Sequence, residues 1–111
     1  MSIRQEKIES LLKRDVGAFF QQNGNTYCPG GMITVTVLRI TADLTLAKVY
    51  VSIFKAEDKN AVIDAINADT SRVRGEMGKA FRKVLRIIPT FKFYLDDSLD
   101  YAEKIDSILR G

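Results

Sequence analysis

Apolar residues follow two different periods along this chain, and each predicts a set of elements. Ile8, Leu11, Leu12, Val16, Phe19 and Phe20 recur at the spacing of one helix face, predicting a first helix over residues 3–21. Ser2 with Gln5 three residues on has the form of a capping box, which satisfies free backbone donors at a helix start. Asn23-Gly24-Asn25 and Pro29-Gly30-Gly31 break the period and predict a loop. The period then changes to two. Residues 32–40 alternate Ile33, Val35 and Val37 with Thr34 and Thr36, and residues 46–54 alternate Ala47, Val49, Val51 and Ile53 with Lys48, Tyr50 and Ser52. Joined through Ala42-Asp43-Leu44, they predict an antiparallel pair with one covered and one wet face.

Glu57 and Asp58 suit the positive end of a second helix, which carries Val62, Ile63 and Ile66 and falters at residues 67–71. A third helix is predicted to continue to about Arg86, with Pro89 stopping it. Phe91, Phe93 and Leu95, alternating with Lys92 and Tyr94, read as a third strand. Asp97 or Ser98 caps a last helix bearing Leu99, Ala102, Ile105, Ile108 and Leu109. The order α-β-β-α-α-β-α predicts an α+β fold, a three-stranded sheet with helices packed on one face. With 111 residues and no repeats, the chain is expected to form a single domain, 1–111.

Composition removes most chemistry. The chain has no histidine, which excludes Ser-His-Asp and Cys-His catalysis and every His-ligated metal site. Cys28 is the single cysteine, too few for an internal disulfide or a structural zinc site. There is no P-loop and no dinucleotide fingerprint. Asp96, Asp97 and Asp100 are near enough in sequence to suggest magnesium, but acids at a helix start read first as caps. The charged N-terminus is unlike a signal peptide, and no apolar run could span a bilayer. The expectation is a cytoplasmic monomer that is not an enzyme, with no cofactor, no metal, no membrane and no small-molecule substrate.

Charge separates along the chain. The net charge is +3, yet residues 70–92 hold Arg72, Arg74, Lys79, Arg82, Lys83, Arg86 and Lys92 against the single acid Glu76. Residues 93–111 hold five acids against Lys104 and Arg110. On a helical wheel for residues 72–88, Val73, Met77, Ala80, Phe81, Val84 and Ile88 share one arc. Arg72, Lys79, Arg82, Lys83 and Arg86 lie opposite, with Arg74 at the edge of the apolar arc. A solvated surface usually mixes signs; a one-signed face suits RNA phosphates. Gly75-Glu76-Met77-Gly78 has the GxxG spacing of the KH backbone clamp, but the helical period runs through it, so a KH-type turn fits better at Ala68–Ser71. Tyr50 and Tyr94 fall on the wet face, where bases could stack.

Three segments carry a likeness to a known family. They are Ile33-Thr34-Val35 through Asp43-Leu44 to Ala47-Lys48-Val49-Tyr50-Val51-Ser52; Val73-Arg74 with Leu85-Arg86-Ile87-Ile88-Pro89; and Phe93-Tyr94-Leu95-Asp96-Asp97-Ser98. In order and spacing the chain resembles the ribosome-binding factor A family over nearly its whole length. Thr26 to Gly31, Asp69-Thr70-Ser71 and Thr90-Phe91 depart from the family pattern. The resemblance implies a type II KH-like domain in which a helix-kink-helix replaces the GxxG turn. It implies association with the free 30S small ribosomal subunit and its 16S rRNA, assistance to late processing of that RNA, and a role at low temperature. It also places Arg74 and Arg86 at family arginine positions. The RNA-binding residues are then expected to be Arg72, Arg74, Lys79, Arg82, Lys83 and Arg86. The competing expectations are a general KH-type single-stranded nucleic-acid module working through Gly75–Gly78, and a protein adaptor with a basic helix.

Overall fold

The computed structural model describes residues 3–96. Its elements are α1 (Ile3–Tyr27), β1 (Met32–Ile40), β2 (Leu46–Phe54), α2 (Lys59–Ala68), α3 (Thr70–Phe81) and β3 (Thr90–Leu95). The order agrees with the sequence pattern through the third strand. The expected capping residue Ser2 and the expected last helix lie outside the described residues.

The sheet order is β1-β2-β3, with β1 antiparallel and β3 parallel to β2. The α2–α3 pair is the crossover that a parallel pairing demands. Every inward residue of β2 is buried, namely Ala47, Val49, Val51 and Ile53. Phe91 and Phe93 do the same for β3, at 2% and 1% exposure, each burial contributing about 1.5–3 kcal/mol. Ile8, Leu12, Val16, Phe19 and Phe20 of α1 close the core from the helical side, with the Phe20 ring edge-on to Phe93 at 5.6 Å. Helices therefore cover one face, as the stripes require, and no element among the described residues covers the other.

Two boundaries differ from the pattern. α1 runs six residues past Gln21, through Asn23-Gly24-Asn25. Phe20 and Tyr27 are two helical turns apart and both buried, so packing outweighs the glycine's cost of about 1 kcal/mol. Asn23 does not break the helix, because its Nδ2 donates to the Phe19 carbonyl. The second difference lies in β1. A bulge between Val35 and Val37 reverses the alternation, so Leu38 and Ile40 face the core in place of Val37. The extra residue, Thr36, turns its Oγ1 to Asp96 Oδ2 at 2.6 Å.

Helix side chains also hold the sheet's margins. Gln5 Nε2 donates to the Ile40 carbonyl at 2.7 Å, and the Ile40 N–H donates to Glu9 Oε1 at 3.0 Å. At the hairpin, Asp43 Oδ1 accepts from the Thr41 hydroxyl and from the Thr45 hydroxyl and N–H. These bonds, that from Thr41 foremost, hold the Asp43 carboxyl below its ordinary range. Gly31 is required by close approach: a Cβ there would collide with Cys28 Sγ and with the Phe54 carbonyl oxygen.

Candidate nucleic-acid interface

The helix-kink-helix turns on one residue. Asp58 caps α2, its Oδ1 accepting from the Ala61 N–H at 3.1 Å. Asp69 ends α2 and begins α3 with φ −116° and ψ 22°, outside the helical region. Its carboxylate accepts from the Tyr27 hydroxyl at 2.6 Å, so the end of α1 grips the kink. Burial, together with the hydrogen bond and charge of Asp69, pushes the Tyr27 hydroxyl up to about 12. Asn67, just before the kink, uses both ends of its amide. Its Nδ2 donates to the Phe93 carbonyl at 2.9 Å, and its Oδ1 accepts from the Phe93 N–H at 2.8 Å. The residues that falter as helix formers are those that tie the kink to α1 and β3.

Gly75 and Gly78 both lie within α3, so the GxxG spacing forms no turn. Open space surrounds the Cβ position of Gly75. A clamp of the usual loop type is absent at that motif.

The third helix ends earlier than its period suggests. α3 stops at Phe81, and the N–H groups of Val84 and Leu85 both donate to the Phe81 carbonyl in a tight turn. Continuing α3 to residue 86 would carry the chain on by roughly 1.5 Å per residue, away from the start of β3. The turn instead returns Leu85 to the core at 4% exposure, leaving Val84 at 56% and Ile87 at 63%. Val73, Met77 and Phe81 are buried as the wheel predicts; Ala80 and Val84 are not.

The six expected RNA-binding residues consequently separate into two sets. Arg72 Nη2 donates to Asn23 Oδ1 at 3.0 Å, its guanidinium carbon lies 5.8 Å from the Phe19 ring centroid, and Nη1 is 4.0 Å from Asp69. Arg74 Nε donates to the Ile88 carbonyl at 3.1 Å, securing the segment after the turn. Lys79 pairs with Glu76 at 3.4 Å on the surface, an interaction worth about 0–1 kcal/mol. Arg82, Lys83 and Arg86 lie just beyond the end of α3, all exposed; the Arg82 N–H closes the helix on the Gly78 carbonyl, and none of the three side chains has a hydrogen bond or ion pair among the described residues. Residues 82–86 thus hold three cations whose side chains are unengaged among the described residues, beside the exposed Val84 and Ile87.

A family model for ribosome-binding factor A matches residues 4–109. The chain belongs to the ribosome-binding factor A family. Its relatives in that family include ribosome-binding factor A of Cytophaga hutchinsonii, 39% identical over 108 residues, covering 97% of this chain and 81% of the relative. Ribosome-binding factor A of Chlorobaculum tepidum is 36% identical over 112 residues, covering 100% of this chain and 92% of the relative. Among solved structures, the crystal structure of ribosome-binding factor A from Thermus thermophilus superposes with a TM-score of 0.66 at 22% identity, covering 82% of this chain and 94% of that one. A homology model of the Thermus thermophilus factor, fitted into a cryo-EM map of a 30S complex, gives 0.67 at 22% identity, covering 82% and 93%. These likenesses establish the α+β fold of the family.

The sequence pattern places Tyr50 and Tyr94 on the wet face, and the structure pairs them. Their rings stack at 5.3 Å with an interplanar angle of 24°. No group of His, Cys, Asp or Glu among the described residues could hold a metal ion. Cys28 is buried. No helix among the described residues is long and apolar enough to cross a membrane.

Proposed function

We propose that this chain binds the free 30S ribosomal subunit, contacting its 16S rRNA through Arg82, Lys83 and Arg86, and assists late maturation of that RNA, including at low temperature. The observation that carries this reading is the cluster of three exposed cations after α3, their side chains unengaged among the described residues, in a chain of the ribosome-binding factor A family. Cations at the C-terminal end of a helix suit its negative pole and leave their heads free for phosphate. The 30S complex of the Thermus thermophilus relative supports the choice of subunit. Arg72 and Arg74 act mainly in holding α3 and the following segment in place, while Lys79 is drawn to Glu76 on the same helix.

Co-sedimentation with small subunits, large subunits and assembled ribosomes over a salt series tests this. Wild-type protein is expected to select free small subunits. Its affinity should fall by about 0.9 log units per log unit of salt for each phosphate neutralised. The triple reversal R82E/K83E/R86E is expected to weaken the association strongly and flatten the slope. Undiminished binding by that variant would overturn the assignment of these residues. Binding that survives nuclease treatment would point to a protein partner.

A further inference from the structure

Strand register produces a feature that no single segment carries. Lys48 on β2 is the pairing partner of Arg39 on β1 and of Lys92 on β3. Three exposed cations therefore form one row across the outer face of the sheet, separated by the inter-strand spacing of about 4.8 Å. Like charges directly opposite each other destabilise a sheet. Arg39 is partly compensated: its Nη1 is 3.6 Å from the buried Glu9 Oε2, while its side chain stays 63% exposed. Lys48 has no ion-pair partner among the described residues. Lys92 Nζ lies 5.4 Å from the Tyr94 ring centroid. The Tyr50–Tyr94 stack is the next outward row on β2 and β3.

We propose that this outer face is a second RNA contact surface, in which Arg39, Lys48 and Lys92 take phosphates and the Tyr50–Tyr94 pair stacks a base of a single-stranded segment. A row of cations beside an aromatic platform offers both charge and a π face, which together suit a base and its own phosphates. An acidic peptide would use the charge and leave the rings idle. A duplex would keep its bases out of reach of the tyrosines. The proposal rests on the RNA-binding reading above but assigns it a different surface, on the wet face of the sheet.

Fluorescence anisotropy with a labelled oligoadenylate of about ten nucleotides, a length within the span such surfaces cover, tests it alongside subunit co-sedimentation. K48Q/K92Q is expected to weaken oligonucleotide binding about tenfold, with the salt slope falling by roughly 0.7 for each phosphate no longer neutralised. Its melting temperature should be unchanged or higher, since a like-charge pair is removed. Y50L/Y94L is expected to weaken binding of the oligoadenylate roughly tenfold, while leaving binding of an abasic sugar-phosphate oligomer unchanged. Wild-type affinity and slope in K48Q/K92Q would overturn this proposal and leave the Arg82/Lys83/Arg86 reading standing. Loss of subunit association with intact oligonucleotide binding would assign the row to a protein component and also overturn it. If the wild-type chain binds neither oligonucleotide nor subunit RNA, the RNA reading fails and takes this proposal with it.

Discussion

Asn67 falls where the second helix loses its apolar period, and in sequence it reads only as a weak helix former. In the folded chain its amide meets both backbone groups of Phe93, acting as a one-residue substitute for a neighbouring strand. Asn67→Ala is expected to leave those groups without partners and cost about 1–3 kcal/mol. Thermal unfolding would register this as a fall of several degrees for a chain of this size; an unchanged midpoint would show that water replaces the amide without penalty. Long-range polar contacts of this kind, like that of Tyr27 with Asp69, join residues 26 and 42 positions apart. No local pattern announces them. The apolar positions of β2 and β3 were legible because alternation needs only neighbours.

At the scale of elements, type and order could be read from the chain, while ends could not. α1 outlasts its glycine because Tyr27 finds a buried place, and α3 stops short because Leu85 does. Both outcomes depend on what the helix packs against, which periodicity does not record. The same limit explains the basic face. A wheel distributes Arg72, Lys79, Arg82, Lys83 and Arg86 on one arc with Arg74 at the edge of the other, yet the structure engages the first three cations and leaves the side chains of Arg82, Lys83 and Arg86 without partners among the described residues. The row of Arg39, Lys48 and Lys92 was hidden for a related reason, since register aligns residues from three distant segments. Gly75 tests the reading of α3 as a plain helix. Its Cβ position is open, so Gly75→Ala is expected to raise stability by about 0.5–1 kcal/mol. RNA binding should be unchanged; a sharp drop in affinity would restore the glycine pair as part of the interface.

For the whole molecule, the Tyr27–Asp69 bond couples the end of the first helix to the kink, and its protonation links that coupling to pH. The folded state holds the Tyr27 hydroxyl at about 12 against the ordinary 10.0, so above pH 10 the unfolded chain loses this proton first. The contribution is therefore complete below about pH 10 and lost as pH rises through about 12. Urea unfolding across that window is expected to show stability falling for the wild type and a shallower fall for Tyr27→Phe. Parallel slopes for the two proteins would mean that other groups govern the alkaline limit.

A three-stranded sheet has two outer strands, and both could in principle recruit a strand from another molecule. On β3, the backbone groups of Phe93 that face away from β2 are occupied by Asn67. On β1, the Ile40 N–H and carbonyl are taken by Glu9 and Gln5, and the bulge at Thr36 interrupts the run between. Neither side presents an unbroken ladder of free donors and acceptors, the template on which chains join edge to edge. The side chains that fasten the helices to the sheet thus also guard against fibre-like self-association when many copies are being synthesised at once.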